Sequence, residues 1–110
     1  MSSSTLTRAL SIAVRTGKVT LGLKETLEAL RGGKAKLVVV AGNLPPEHRK
    51  KLESLAKLAG VPILDSKLTS LDLGAACGKP YTVSALAIRD PGDSGILALS
   101  PAKKRGRRKG

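Results

Sequence analysis

Leu37-Val-Val-Val-Ala-Gly-Asn43-Leu-Pro-Pro46 is the stretch on which the reading of the fold turns. From Leu37 to Val40 four apolar residues, three of them β-branched, follow one another without alternation, the pattern of a strand covered on both faces. A central strand is predicted there. Beyond its carboxyl end Gly42 allows close approach to the backbone, Asn43 carries hydrogen-bond donors and an acceptor, and Pro45 and Pro46 suit a helix start. The crevice beyond a strand's carboxyl end is where open α/β sheets hold ligands. Asn43 is the only asparagine, and the chain has no glutamine. Two readings of Asn43 stay open: a functional carboxamide, or a residue that merely takes a turn conformation or caps a helix.

Working outward, Ser4 or Thr5 is placed to cap a first helix, with Leu6, Ala9, Leu10, Ala13 and Val14 along one face and Gly17 at its end. A short strand over residues 19–21 leads through Gly22 into a second helix with Leu23, Thr26, Leu27 and Leu30 on one side, stopped by Gly32 and Gly33. After the central strand, Pro46 opens a third helix whose buried stripe is Leu52, Leu55, Ala56 and Ala59, with Glu47, His48, Arg49, Lys50 and Lys51 on its wet side. Gly60 ends it. Residues 61–64 read as a short strand in which Pro62 marks an edge or a start. Thr69 and Asp72 are spaced as a capping box before a small-residue helix over 71–77. The last long strand is expected over 81–88, closed by turn chemistry at Asp90-Pro91-Gly92-Asp93. Helices alternating with buried strands predict an α/β fold, a three-layer α/β/α sandwich with a four-stranded mixed sheet.

Composition narrows the function. At 110 residues the chain is one domain with a single core, built from Leu, Val, Ile and Ala because Phe and Trp are absent and Tyr81 is the only aromatic residue. Its formal net charge is +12, which points to a polyanion, nucleic acid before membrane. Without a signal-peptide pattern, a long apolar run or a basic amphipathic helix, the expectation is a cytoplasmic protein with no membrane partner. Cys77 stands alone and fits a reducing compartment.

After Pro101 the composition shifts. Lys103, Lys104, Arg105, Arg107, Arg108 and Lys109 place six positive charges in nine residues. Such a segment buries too little apolar surface to fold alone, so a globular domain over 1–101 and a disordered basic tail over 102–110 are expected. Removing those six charges leaves about +6 on the body. The tail reads as a nucleic-acid-binding arm, against the blander reading of a solubilising end.

Catalytic and metal chemistry find little support. Gly74-Ala-Ala-Cys-Gly-Lys79 lacks one spacer residue of a phosphate-binding P-loop, has Pro80 where Ser or Thr should bind magnesium, and follows a helix. His48 is the only histidine and sits among charged neighbours, a poor place for a general base and too little for a metal site. Cys77 beside Ala75 and Ala76 reads as a small buried thiol. The expectation is a non-enzyme without cofactor or metal.

Three loops are left. If the two longest strands are parallel neighbours, the turn at Gly22, Leu23 and Lys24 and the turn at Gly42 and Asn43 both lie at helix N-termini on one side of the sheet, where amide N–H groups favour phosphate. The segment Cys77, Gly78, Lys79, Pro80 and Tyr81 should reach that same side. Together they offer glycines for close approach, Lys24 and Lys79 for phosphate, Asn43 for a base edge and Tyr81 for stacking. Each has an ordinary alternative as a turn, a solvated charge or a filler of the core edge.

Four blocks of the chain carry a family resemblance: Arg15-Thr-Gly-Lys-Val-Thr-Leu-Gly-Leu-Lys24, Lys36-Leu-Val-Val-Val-Ala-Gly-Asn43, Leu71-Asp-Leu-Gly-Ala-Ala-Cys-Gly-Lys-Pro-Tyr81 and Gly92-Asp-Ser-Gly-Ile-Leu97. Spread from Leu6 to about Leu99, they make the chain similar to the archaeal and eukaryotic large-subunit ribosomal protein family L-thirty-e, within the L-seven-Ae superfamily of kink-turn RNA binders. The resemblance implies a four-stranded α/β/α sandwich and binding to a sharply bent RNA internal loop with sheared guanine-adenine pairs. It implies that Gly22 and Lys24 approach the RNA backbone and a guanine, that Asn43 reads a guanine edge, and that Gly78, Lys79, Pro80 and Tyr81 meet the bent strand and an unstacked base. Sister proteins with small-nucleolar-type roles have Asn where this chain has Lys24, which favours the ribosomal branch. Expected partners are therefore ribosomal RNA and neighbouring ribosomal proteins, with the chain a monomer off the ribosome. A kink-turn protein of another ribonucleoprotein, a small nucleotide-binding α/β enzyme and a basic module for an acidic protein are the alternatives.

Overall fold

A computed structural model describes residues 3–90 and Gly92. The basic residues Lys103, Lys104, Arg105, Arg107, Arg108 and Lys109, the expected boundary at 101 and residues 93–97 of the fourth block lie outside the described residues.

The elements run α1 (Ser3–Thr16), β1 (Lys18–Leu21), α2 (Leu23–Arg31), β2 (Leu37–Val40), α3 (Pro46–Ala59), β3 (Ile63–Asp65), α4 (Ser70–Ala76) and β4 (Ala85–Asp90). The strands form one sheet in the order β1-β4-β2-β3, with β4 antiparallel to both neighbours and β2 parallel to β3. All four residues of β2 are fully buried, as their unbroken apolar run requires. The two faces are filled by alternate residues of the strands. Leu37, Val39, Leu86 and Ile88 point into the layer of α1 and α4, where they meet the small residues Ala9, Ala13 and Ala76. Val38, Val40, Ala85 and Ala87 face α2 and α3, where Leu30 and Leu52 supply the bulk. On the first face Leu6, Leu10 and Leu73 of the helices add to the bulk of the strands, while on the second the small Ala85 and Ala87 leave room for Leu30 and Leu52, and a core without Phe or Trp closes.

Four expectations change. α1 already runs from Ser3, so Ser4 and Thr5 lie inside its first turn and not at its cap. Ala59 is exposed beside Leu58, which is 85% accessible, so the buried stripe of α3 ends at Ala56. The last strand starts at Ala85 and not at Tyr81, since the chain first runs back along α4: the Val83 N–H donates to the Ser70 carbonyl at 2.9 Å, and a Cβ on Gly74 would collide with the Tyr81 carbonyl oxygen. Only this close approach explains why a glycine stands inside α4. Finally, the two longest apolar strands are neighbours but antiparallel.

The loops after β1 and β2 share one side of the sheet all the same. Because β1 and β2 are each antiparallel to the strand between them, they point the same way, and their carboxyl ends meet the start of β4 on one rim. β3, parallel to β2, ends there too.

Candidate nucleic-acid interface

Two backbone hydrogen bonds build this rim. The Gly22 N–H donates to the Ala85 carbonyl and the Ala41 N–H to the Ser84 carbonyl, both at 2.8 Å, so the loops leaving β1 and β2 flank the first residues of β4. Separated by two strand spacings, they stand about 10 Å apart.

The β1 loop is a helix start held from below. Gly22 has φ 105° and ψ 153°, a region essentially closed to residues with a Cβ. Its carbonyl accepts both the Thr26 N–H at 2.9 Å and the Thr26 hydroxyl at 2.7 Å, and Thr26 is fully buried. Pinned in this way, the first turn of α2 directs the free N–H groups of Leu23, Lys24 and Glu25 outward, with Lys24 exposed. This is an anion-favouring end.

The β2 loop works differently from the sequence expectation. α3 opens with Pro45 as cap and Pro46 in its first turn, neither of which has an N–H, and the Pro45 carbonyl accepts the N–H groups of His48 and Arg49. Its N-terminus therefore offers little to an anion. Asn43 instead serves another helix: its Oδ1 accepts the Ser70 N–H of α4 at 3.0 Å across 27 residues of sequence. The carboxamide is exposed, and with Oδ1 engaged its Nδ2 is left without a partner among the described residues. Gly42 donates its N–H to the Leu68 carbonyl at 2.7 Å, and a Cβ there would stand 3.3 Å from the Cα of Lys67. The close approach that needs this glycine is thus by the protein's own 67–68 backbone.

The segment after α4 joins the same neighbourhood. Lys79 donates its N–H to the Gly74 carbonyl at 2.9 Å, and the chain then runs antiparallel to α4, with Tyr81 beside Gly74 and Val83 beside Ser70. Tyr81 therefore stands about one helical turn from the residue that holds Asn43. Tyr81 is 53% exposed and Leu71, on the first turn of α4, 62%. Gly78 and Pro80 are exposed and Lys79 half-buried.

Sequence reasoning missed the loop between β3 and α4. Ser66 is buried, gives both its N–H and its hydroxyl to the Val40 carbonyl at 3.0 and 2.8 Å, and accepts the Leu68 N–H at 3.1 Å, clamping this loop to the end of β2. Asp65 accepts the Lys67 N–H at 2.9 Å, and the Arg49 guanidinium bonds its other oxygen at 2.9 Å. That Arg49 bond, aided by the Lys67 N–H, holds the Asp65 carboxyl below its ordinary value against the opposing effect of burial. The sequence Asp65-Ser66 does signal a turn, but nothing in it shows that the turn packs on Gly42.

The other candidates keep structural roles. Burial pushes the Cys77 thiol up to about 11, against the pull of the Lys79 charge. His48 Nε2 stands 4.0 Å from a Glu47 carboxylate oxygen on the outer side of α3. Among the described residues no group of His, Cys, Asp and Glu is placed to hold a metal ion, and no helix is long and apolar enough to cross a membrane.

Residues 4–98 match the family model described as the ribosomal protein L7Ae/L30e/S12e/Gadd45 family. The chain is similar to the large ribosomal subunit protein eL30 of Methanothermobacter thermautotrophicus, 49% identical over 84% of this chain and 94% of the relative. It is 46% identical to eL30 of Methanocaldococcus jannaschii over 90% of each chain. With eL30 of the animal Branchiostoma belcheri it shares 44% identity over 91% of this chain and 88% of the relative.

Proposed function

Because the chain belongs to the ribosomal protein L7Ae/L30e/S12e/Gadd45 family, we propose that it is a non-catalytic component of the large ribosomal subunit, in the cytoplasm, and binds ribosomal RNA at a kink-turn or a related bent internal loop. The observation that carries this reading is the rim itself: a helix start with free N–H groups and an outward carboxamide nitrogen, set on either side of one strand end.

In this reading the work divides by chemistry. The first turn of α2 and Lys24 hold phosphates beside Gly22, whose missing side chain lets the RNA backbone come close. Asn43 Nδ2 donates to an acceptor on a guanine edge, and because its Oδ1 is already occupied it has a fixed orientation before RNA arrives. Tyr81 and Leu71 receive a base thrown out of the stack, while Gly78, Lys79 and Pro80 follow the bent strand. The tail adds charge without specificity. Off the ribosome the protein is a monomer, and on it other ribosomal proteins are its neighbours.

The test is a titration against a short kink-turn RNA and a matched straight duplex at two salt concentrations, with the full chain and with a form ending at Pro101. Preference of the shortened form for the kink-turn is expected. Preference that vanishes with the tail, or equal affinity for both RNAs, would overturn the reading.

A further inference from the structure

With φ 65°, Lys67 is the only non-glycine in the left-handed region among the described residues. Glycine, asparagine or aspartate would make this turn at lower cost, so the turn gives no reason for lysine. The position is held firmly. Its N–H goes to Asp65 Oδ1, Ser66 anchors the loop to Val40, and Gly42 lies against the Lys67 Cα. A strained residue that its surroundings keep in place is a reason to look for function in its side chain.

Lys67 is exposed and lines a cleft of about 410 Å³ that Asn43 also lines. The one carboxylate in the cleft, Asp65, is bonded by Arg49, and the Lys67 ammonium forms no ion pair among the described residues. A cation that acts on Asp65 only through space, with no ion pair of its own among the described residues, therefore faces the same cleft as an unpartnered amide nitrogen. Thr69 completes the cleft with a hydroxyl whose oxygen accepts the Asp72 N–H, leaving its hydrogen free to donate.

We propose that Lys67 is a phosphate-binding residue of the RNA site, and that the β3–α4 loop is its fourth loop, gripping the backbone of the nucleotide whose base meets Asn43. The inference rests on the rim being the RNA face. A phosphate is favoured over a base edge because a single mobile ammonium is a point charge without the paired donors that distinguish bases.

The experiment uses the full chain, with Lys67→Gly and Lys67→Arg, against a kink-turn RNA over a range of salt. Lys67→Gly removes the charge while suiting the left-handed backbone, so folding is preserved. It is expected to bind about three- to tenfold more weakly, with a salt slope shallower by about 0.7 to 0.9. Lys67→Arg should retain both affinity and slope. If Lys67→Gly binds with the wild-type slope and affinity, the inference fails while the rim reading stands. If the wild-type protein itself shows no preference for the kink-turn over a straight duplex, the rim reading fails and takes this one with it.

Discussion

The Ser70 backbone N–H donates to Asn43 Oδ1 at 3.0 Å, and this single bond decides which half of the carboxamide faces outward. It also answers the question that the sequence left open, in an unexpected way. Asn43 does satisfy a helix start, but that of α4, and in doing so it presents a donor to the rim.

Asparagine and aspartate separate the two duties. Asn43→Asp keeps an oxygen for Ser70 and places a negative charge beside a helix N-terminus, so stability is expected within about 0.5 kcal/mol of wild type. Affinity for the kink-turn should fall by about 1–3 kcal/mol or more, since the outward donor becomes an anion. Asn43→Ala, by contrast, should lose both. Chemical denaturation and RNA titration of the two variants check this; an aspartate variant that binds like wild type would assign Asn43 to structure alone.

Gly22 is constrained by conformation and not by space, since the nearest atom to an added Cβ is Glu25 Cγ at 4.0 Å. Gly22→Ala is expected to cost about 1–3 kcal/mol. The loss should appear in the urea midpoint, and a variant of unchanged stability would show that the loop relaxes to a negative φ.

The Arg49–Asp65 pair ties α3 to the end of β3. Because Asp65 is held below its ordinary value of 3.8 by the Arg49 bond, its contribution is present above about pH 4 and is lost as pH falls through the depressed folded value. With the pair partly exposed, about 0.2–1 kcal/mol is at stake. Asp65→Asn should therefore lower stability at pH 7, and the gap to wild type should close as pH falls through that depressed value. A difference independent of pH would contradict the ion pair as its source.

Cys77 sits 3% exposed at the end of α4, with its thiol pushed up to about 11. Alkylation of the native protein at pH 8 is expected to be slower than that of the unfolded chain by roughly a hundredfold or more. Equal rates would show an accessible thiolate and reopen a chemical role.

Much of this was legible in the chain because burial on two faces leaves a plain signature. The run from Leu37 to Val40 marks β2, the glycines at 17, 32 and 60 mark helix ends, and Thr69 caps α4 as its spacing with Asp72 suggests, its Oγ1 accepting the Asp72 N–H at 3.1 Å. Strand direction was not legible. Parallel and antiparallel neighbours buried on both faces carry the same apolar run, so the run does not fix the direction of β4. Nor does the sequence fix its start, because Tyr81 and Val83 are β-formers by type while the close approach of Gly74 diverts their backbone along α4. Of the site, the residues with special backbones or unusual chemistry could be picked out singly. The Asn43–Ser70 bond and the seating of Lys67 on Gly42 join parts of the chain 25 or more residues apart, and no local pattern encodes them.

The most direct measurement is an amide NMR titration of the protein with a kink-turn RNA. The largest shifts are expected to cluster on one rim, at Gly22, Leu23, Lys24, Asn43, Lys67, Ser70 and Tyr81, while Gly33 and Gly60 at the opposite ends of α2 and α3 stay still. Shifts centred on Gly33 and Gly60, or spread evenly over every basic surface, would contradict the rim reading.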